Sequence, residues 1–446
     1  MRVNALIFIV ISILAGAASP APITALAADA PAATASSVNW TSFYLGGDVG
    51  GLFVHSTYVR PDQDKAPTGI GSMTPRASVG LIGGFNYQIS PIMVLGAEAQ
   101  RTTFSGLNFR EVGPDLDFLQ KVHSITSLTS RAGLLLGQDT MVYGKLGWAS
   151  MATAGFAGFG GTFKTNISAL QTGAGIETQV TPNISLRGEA LYTQAAKALK
   201  LNYDKDIYRP SLIQYKLGAV YRFDAPQGWG VAGGDAAQPS YGPFGQIREP
   251  AWTGISFGGF GSVNGHHLSW EKVSGDLGPY SDLSAGGGGF LGANLKILPS
   301  AVVGVEVSAN YSRGDFIDPD GAGLARKFHH FATVDRVIAK TLRVGWLATP
   351  GTLLYLKGGW ATINMNLESD YWPALAPNVS GLRKLPAWQG GLGVESFVTS
   401  NISMRIEGAY TVATNGVRIV VQGVTPYVIS LSPGIMSGHL GVAYHF

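Results

Sequence analysis

The sequence predicts an all-β protein made of two tandem eight-stranded antiparallel barrels that cross a membrane. Three observations lead to this fold class: an internal duplication, segments that alternate apolar with small or polar residues, and an N-terminal export signal. The 446 residues include 61 glycines and no cysteine, and 13% are charged. This composition excludes disulfides and thiolate metal sites, and it argues against disorder throughout.

The N-terminus has the features of a secretory signal. Arg2 precedes the apolar run ALIFIVISILAGAA, and the small residues ALA follow at 25–27. The run is short for a membrane helix of about 20 residues, and Pro20 comes after it. We therefore expect a cleaved signal peptide at 1–27, a tether at 28–38, and an exported mature chain.

The rest of the chain is one domain-sized unit that occurs twice. MVYGKLGW at Met141 matches LLYLKGGW at Leu353, and KLGAVYRF ending at Phe223 matches HLGVAYHF ending at Phe446. The repeat of about 200 residues is far longer than that of a solenoid. The expected units are a first barrel, a Gly- and Pro-rich linker and a second barrel, at 39–223, 224–250 and 251–446.

The offset between matched residues predicts how the strands are connected. It is 208 from Glu98 to Glu306 and 218 from Arg187 to Arg405. The offset stays constant across three connections rich in Pro, Asn, Asp, Ser and Gly, which are typical of tight turns. It changes in four others, which are typical of long surface loops. Seven connections join eight strands in each unit.

The segments alternate with the two-residue period of a strand. In ISLRGEALY, the side chains of Ile184, Ala190 and Tyr192 share one face, and those of Arg187 and Glu189 share the other. An apolar outer face with a small or polar inner face indicates a membrane barrel. We expect Ile184, Leu186 and Ala190 to face lipid, with Tyr192 in an interfacial aromatic belt.

Aromatic residues favour a membrane barrel over a soluble β-sandwich or a lipocalin-like barrel, in which they would be exposed to water. Belt positions are predicted at Tyr192, Trp148 and Phe223 and at their counterparts Tyr410, Trp360 and Phe446. The closing strands carry four aromatics: Tyr221, Phe223, Tyr444 and Phe446.

Several of these motifs together resemble one family. The opening W-T-x-x-x-x-G-G at Trp40, the hairpin G-x-N-Y/L with G-x-E, and the closing L-G-x-x-Y-x-F are similar to those of small eight-stranded outer-membrane surface proteins, relatives of OmpX and of the transmembrane domain of OmpA. The resemblance implies an outer-membrane location and contact with membrane lipid and lipopolysaccharide. It also implies a C-terminal strand read by the barrel-assembly machinery; Phe446 fits this pattern, whereas Phe223 is internal.

Charged residues recur on the predicted inward face. The first unit has Glu98, Arg131, Lys145, Glu177, Arg187 and Glu189, and the second has Glu306, Arg343, Lys357, Glu395, Arg405 and Glu407. Each set has three acidic and three basic members at a similar height above the turns. Because an unpaired charge in a narrow lumen is costly, we expect ion pairs that close the lumen rather than an acid–base site.

Two barrels and one sixteen-stranded barrel both fit a duplicated chain. The long linker, the two closing strands and the charge balance within each unit favour two barrels, whose narrow lumens are filled by side chains. Pairing of Lys216–Phe223 with Thr41–Gly50 would mean that the first unit closes on itself. Pairing with Trp252–Gly261 would mean one large barrel.

The sequence carries no recognisable catalytic constellation. It lacks the G-x-S-x-G, H-E-x-x-H and P-loop motifs, so we predict no enzyme and no cofactor. The histidines in or near predicted loops (His55, His123, His266, His267, His329 and His330) have no fixed serine partner for catalysis. The adjacent pairs His266–His267 and His329–His330 are not expected to bind metal, because neighbouring residues of a strand point to opposite faces. The segment Asp315–Gly321 lacks the spacing of a calcium loop and is predicted to be a polar turn. A net charge of +3 suggests no nucleic-acid partner.

These observations predict a structural, surface-exposed outer-membrane protein that supports envelope integrity and displays loops to an unidentified partner. The alternative is a porin for small hydrophilic solutes. A soluble periplasmic binding protein is disfavoured by the aromatic ends.

Overall fold

The computed structural model describes most of the two predicted barrel units. The described residues are 39–59, 68–71, 76–113, 116–136, 139–157, 162–200, 207–223, 250–272, 275–318, 329–368, 379–421 and 427–446. The predicted signal peptide, the tether and all of the linker except Pro250 lie outside them, so these unit boundaries stay predictions. Within the described part of the chain, no helix is long and apolar enough to cross a membrane.

The first repeat forms ten strands, of which β2 and β9 are short. They are β1 (Ser42–Val59), β2 (Thr68–Gly71), β3 (Arg76–Ser90), β4 (Met93–Gly113), β5 (Leu116–Leu135), β6 (Thr140–Ala157), β7 (Thr162–Thr181), β8 (Ile184–Ala195), β9 (Leu199–Lys200) and β10 (Ile207–Arg222).

The second repeat forms nine strands, with β18 the short one. They are β11 (Gly254–Lys272), β12 (Gly275–Leu298), β13 (Ala301–Asp318), β14 (His329–Thr349), β15 (Thr352–Leu367), β16 (Gly381–Phe397), β17 (Ile402–Ala413), β18 (Val417–Val421) and β19 (Tyr427–His445).

Each repeat closes on itself through antiparallel pairing. Strand β1 pairs with both β3 and β10, with Tyr44 opposite Arg222. Strand β11 pairs with both β12 and β19, with Ser256 opposite His445. Among the described strands, β10 and β11 do not pair with each other. The prediction of two eight-stranded barrels is therefore confirmed, and the single sixteen-stranded barrel is wrong.

The connections alternate between the two ends of each barrel. Tight turns lie at 91–92 and 182–183 in the first repeat and at 299–300 and 350–351 in the second, as the constant offsets predict. At the other end, two connections differ from the predicted long loops. Strands β4 and β5 stay paired as far as Gly113, and strands β11 and β12 stay paired as far as Lys272. Continued pairing satisfies backbone groups that a loop would leave to solvent.

The outer surface is an apolar band. Leu128 is 64% exposed although its neighbour Thr129 is buried, and Leu342 is equally exposed beside the buried Arg343. This alternation places leucine, valine and aromatic side chains against lipid and polar ones in the lumen. The predicted belt residues Trp148, Phe223, Trp360 and Phe446 are all exposed.

The two barrels lie side by side, so one face of each is not lipid-facing. Tyr192 is only 8% exposed and packs with Phe53, Tyr215 and Met436, against which Ala190 also packs. The prediction that Tyr192 and Ala190 face lipid is wrong, because the second barrel covers their strand. Near the long-connection end the two barrels also share one backbone pair, between Tyr280 and Ile70.

Candidate functional site

Inward positions of five strands build a charged layer in the first lumen. Strands β4 to β7 contribute Glu98, Arg131, Lys145 and Glu177, and β8 contributes Arg187 and Glu189. All six are 3% exposed or less. The tight turns align these strands so that residues four to seven positions from a turn meet at one height, since each residue advances about 3.3 Å.

Glu98 is the centre of this layer. Its carboxylate accepts hydrogen bonds from Arg187 Nη1 at 2.6 Å, from Lys145 Nζ at 2.5 Å and from the Tyr44 hydroxyl at 2.9 Å. With a second bond from Arg187, through Nη2 at 3.2 Å, the carboxylate accepts four hydrogen bonds and has no free lone pair aimed at a substrate. The arrangement therefore supports ion pairing rather than proton transfer.

The remaining charges extend the layer around the wall. Arg131 donates to Glu177 at 2.7 Å and lies over the Tyr143 ring at 3.9 Å. The Tyr143 hydroxyl donates to Glu189 at 2.6 Å, and Lys145 Nζ is 3.1 Å from the same carboxylate. The structure thus brings together all six residues that the sequence indicated in the first unit.

The second lumen repeats the centre of the layer. Glu306 accepts from Arg405 Nη1 at 2.6 Å and from Lys357 Nζ at 3.2 Å. Arg343 donates to Glu395 at 2.6 Å and lies over the Tyr355 ring at 4.0 Å. These two contacts of Arg343 match those of Arg131 with Glu177 and Tyr143, whereas the hydrogen bond from Arg131 to the Tyr44 hydroxyl has no counterpart, because Ser256 is the equivalent of Tyr44.

Glu407 completes the second layer. Its Oε1 accepts from Lys357 Nζ at 2.5 Å and lies 3.1 Å from His439 Nδ1, and its Oε2 accepts from the Tyr355 hydroxyl at 2.9 Å. All six residues predicted for the second unit therefore meet as well.

The sequence search missed a further pair in the first lumen. Asp48 Oδ1 is 3.5 Å from Lys216 Nζ, and Gln100 donates to the other carboxylate oxygen at 2.5 Å. In the second lumen the equivalent positions hold Phe260 and His439, whose rings stack at 4.2 Å. A search for charges present in both repeats could not find this pair, although alternation along the strands already placed Lys216 on the inner face.

Arg222 and His445, at equivalent positions near the tight-turn end, were also missed. The Arg222 guanidinium lies over the Trp40 ring at 4.6 Å and donates to the Asn39 carbonyl at 2.8 Å. His445 Nε2 is 3.0 Å from Glu395. Arg222 thereby links the base of its lumen to the segment before β1, and the His445 ring packs edge to face on the Trp252 ring in the segment before β11, with centroids 6.1 Å apart.

An apolar layer lies above the charged layer, toward the long-connection end. In the first lumen the inward residues there form one buried cluster that includes Leu52, Phe104, Ile125, Met151 and Leu212. In the second lumen the corresponding cluster includes Val337, Ile363, Met365, Leu385 and Ile435. The alternation pattern contains this signal, because inward positions that far from the turns change from polar to apolar.

The closing-strand aromatics lie outside the lumen. Tyr221 and Phe223 pack edge to face with ring centroids 5.3 Å apart, and Tyr444 and Phe446 do so at 5.1 Å. All four are exposed on the outer surface near the tight turns. This placement suits an interfacial belt.

Three histidines predicted in or near loops are instead buried strand residues. His55 Nδ1 is 2.9 Å from Ser281 Oγ of the other barrel, and His266 Nε2 is 2.9 Å from Ser284 Oγ. His267 stacks on Tyr410. The loop placement was wrong for these three because the strands run past the barrel wall. His123 and His330 are exposed on β5 and β14.

The region predicted to be a polar turn rather than a calcium loop starts inside a strand. Asp315 belongs to β13, where Arg313 Nε donates to it at 2.8 Å. Residues 319–321 lie outside the described ranges. The side chain of His329 is likewise outside the described part of the chain.

Residues 21–223 match the outer membrane protein beta-barrel domain. The first barrel belongs to that family. The second barrel repeats its strand order, its registers and its charged layer. No curated protein matches the chain.

Several solved structures are similar to parts of the chain. Ail of Yersinia pestis is 17% identical, with 41% of this chain and 99% of that chain covered and a TM-score of 0.26. Neisserial surface protein A is 14% identical, with 41% and 97% covered and a TM-score of 0.26. The Pseudomonas putida toluene transporter TodX is 9% identical, with 91% and 90% covered and a TM-score of 0.26.

The chain is thus an outer-membrane protein whose strands cross the bilayer and contact lipid. That this chain itself is not an enzyme stays a prediction.

Proposed function

We propose that the protein is a structural and surface-exposed component of the outer membrane whose two barrels are closed to solutes. The observation that carries this proposal is the pair of buried layers in each lumen, one charged and one apolar. A porin for small hydrophilic solutes is the alternative, and it would need a continuous water-filled path through both layers.

The charged layer supports closure because its members hold one another across the lumen. Glu98 on β4 reaches Arg187 on β8, and Glu306 on β13 reaches Arg405 on β17. These side chains come from strands separated by others in the barrel wall, so their contacts span the interior. Moving a solute through would break several charge-assisted hydrogen bonds at once, each of them worth about 1.5–3 kcal/mol.

The apolar layer supports closure in a different way. Side chains such as Phe104 and Met151 in the first barrel and Met365 and Leu385 in the second fill the lumen without polar partners. A hydrated ion that entered this region would lose water with no compensating contacts. Eight-stranded barrels are narrow enough for side chains to fill the interior.

The surface role rests on the arrangement of the connections. Short turns occupy one end and the longer connections the other, which in barrels of this kind faces the outside of the cell. We propose that the long-connection end contacts external partners and lipopolysaccharide. We also propose that the exposed aromatics of the last strand, Tyr444 and Phe446, are read by the barrel-assembly machinery.

Planar-bilayer recording of the purified full chain tests closure. We expect no steady conductance above that of the lipid alone; large, steady openings would overturn the proposal. The double variant Phe104→Ser/Arg187→Ser removes one large side chain from each layer and should produce intermittent openings. Leu128→Ser, on the lipid-facing side of the same barrel, is the matched control and should stay closed.

An epitope-insertion experiment tests the orientation. A tag placed between β6 and β7 should bind antibody on intact cells, whereas a tag placed between β5 and β6 should bind only after the outer membrane is opened. The reverse result would overturn the assignment of the long connections to the cell surface.

A further inference from the structure

The two barrels meet through the same strands of each repeat. Equal pairing registers, such as Tyr44 with Arg222 and Ser256 with His445, show which residues are equivalent. By this correspondence β1, β7, β8 and β10 match β11, β16, β17 and β19. These two sets of strands, together with the first residues of β6 and β15, form the faces that cover each other, as in an isologous dimer, where the same patch is used twice.

Four hydroxyls demonstrate this symmetry near the tight turns. Thr178 is 3.1 Å from Thr352, and Thr140 is 3.3 Å from Ser396. Thr140 is the equivalent of Thr352, and Thr178 is the equivalent of Ser396, because each pair occupies one register position in its own barrel. Each contact is therefore the symmetry mate of the other, as a two-fold relation requires.

The same four hydroxyls also satisfy one another. Thr140 bonds Thr178 inside the first barrel, and Thr352 bonds Ser396 at 2.8 Å inside the second. The four hydrogen bonds form a closed ring that joins the barrels. On a lipid-facing surface such hydroxyls would lack water, so mutual bonding across an interface stabilises the contact.

Apolar side chains continue the contact toward the membrane centre. Ile176, Val394 and Ile406 belong to one buried cluster that draws on both barrels. A Cβ at Gly188 would lie 2.9 Å from Val394. Ile176 is the equivalent of Val394, and Gly188 is the equivalent of Ile406, so this part of the interface also uses matched positions.

On the pseudo-two-fold axis, where each position meets its own equivalent, the two repeats differ. Tyr215 is equivalent to Gly438, and a Cβ at Gly438 would fall inside the Tyr215 ring. Phe53 is equivalent to Gly265, and a Cβ at Gly265 would clash with the Phe53 ring. The first barrel supplies an aromatic knob at both places, and the second supplies a glycine notch.

We propose that this face is a heterotypic dimerisation surface whose partner is the other repeat of the same chain and not a second copy of the same repeat. Two first barrels would set Tyr215 against Tyr215 and Phe53 against Phe53, which overpacks the axis. Two second barrels would set glycine against glycine and leave voids. Only a first barrel packed against a second barrel fills the axis. The differences between Tyr215 and Gly438 and between Phe53 and Gly265 therefore favour this unlike pair and disfavour both like pairs.

Cysteine cross-linking of the full chain in membranes tests the contact, because the natural sequence contains no cysteine. Thr178→Cys/Thr352→Cys should form an intramolecular disulfide on oxidation, detected by faster gel mobility of the unreduced, denatured chain. The matched control is Val79→Cys/Leu342→Cys, on lipid-facing positions, which should stay reduced. Disulfide-linked dimers of chains, or no disulfide in folded protein, would overturn the proposal.

A knob-and-notch exchange tests the selectivity. In the cross-linking background, Gly438→Tyr should lower the disulfide yield by about tenfold or more, on the scale of a buried overpacked contact. Adding Tyr215→Gly should restore the yield, because the knob and the notch have exchanged sides. Heat-modifiable gel mobility reports in parallel whether the barrels are folded.

A second exchange, Phe53→Gly/Gly265→Phe, repeats the test at the other axial position. Unchanged cross-linking in Gly438→Tyr, or failure of both exchanges to restore it in folded protein, would overturn heterotypic selection. Conductance is a separate measurement, so closure of the lumens and pairing of the barrels succeed or fail independently.

Discussion

Replacing Arg187 by alanine should destabilise the first barrel more than any exposed charge substitution. Arg187 is about as buried as a side chain can be, with 1% of it exposed, and it donates two hydrogen bonds to Glu98 at 2.6 and 3.2 Å. It also lies 3.7 Å from Glu189. The substitution leaves the layer with an excess negative charge in a site without bulk water.

The magnitude follows from what remains around the two carboxylates. Breaking a buried pair by removing one partner costs about 3–5 kcal/mol. Glu98 keeps Lys145 and the Tyr44 hydroxyl, and Glu189 keeps Lys145 and the Tyr143 hydroxyl. Because neither carboxylate loses every partner, we expect a loss near the lower limit, about 3 kcal/mol.

Urea unfolding in detergent micelles, followed by tryptophan fluorescence and by heat-modifiable gel mobility, measures this loss. Arg405→Ala is the equivalent change in the second barrel and should have a similar effect there. Arg313→Ala is the exposed control: its partner Asp315 is only 2.8 Å away, but the arginine side chain is 65% exposed. An exposed pair contributes about 0–1 kcal/mol.

Two results would refute the reasoning. One is an unfolding midpoint of Arg187→Ala that equals that of the natural protein. The other is a loss no larger than that of Arg313→Ala, because burial would then contribute nothing to the energy of the charged layer.

Two further predictions concern residues that differ between the repeats or lie outside the strands. Lys216→Met should destabilise by about 3 kcal/mol or more, because it leaves the buried Asp48 without its cation, and Asp48→Asn in the same chain should recover most of the loss; a double-mutant cycle with no coupling would contradict the ion pair. Burial raises the pKa of the Asp139 carboxyl, in the turn before β6, above its ordinary value. The stability that the protonated carboxyl contributes is therefore complete below about pH 4. It is lost as the pH rises through the raised pKa, because the carboxyl then ionises in a buried site. Asp139→Asn should therefore raise the unfolding midpoint at about pH 7 and leave it unchanged at about pH 3. Equal effects at both pH values would contradict this linkage.

Much of the fold was predictable because it depends on patterns that extend along the chain. Constant offsets located the tight turns, and alternation assigned the inner and outer faces of the strands. The hairpin extensions beyond the barrel wall were not predictable in this way. A change in the offset between matched residues shows only that a connection differs in length between the repeats. It does not show whether that connection is a loop or a paired hairpin.

The site was predictable where both repeats carry the same charge. Glu98 and Arg187 stood out because Glu306 and Arg405 repeat them in the same places. Asp48 did not stand out, because Phe260 occupies the equivalent position in the second barrel. The apolar layer was overlooked because the search followed the inward charges and not the change from polar to apolar residues at inward positions farther from the turns.

The sequence by itself determined the number of long barrel strands in each repeat, their faces and the charged layer, because these follow from local periodicity and from repetition. Only the tertiary structure decided which outer faces meet lipid and which meet the other barrel. Tyr192 and Trp148 are both outward aromatics, yet one is covered and the other is exposed. The difference arises from contacts between strands that are distant in sequence, and alternation along a single strand carries no information about them.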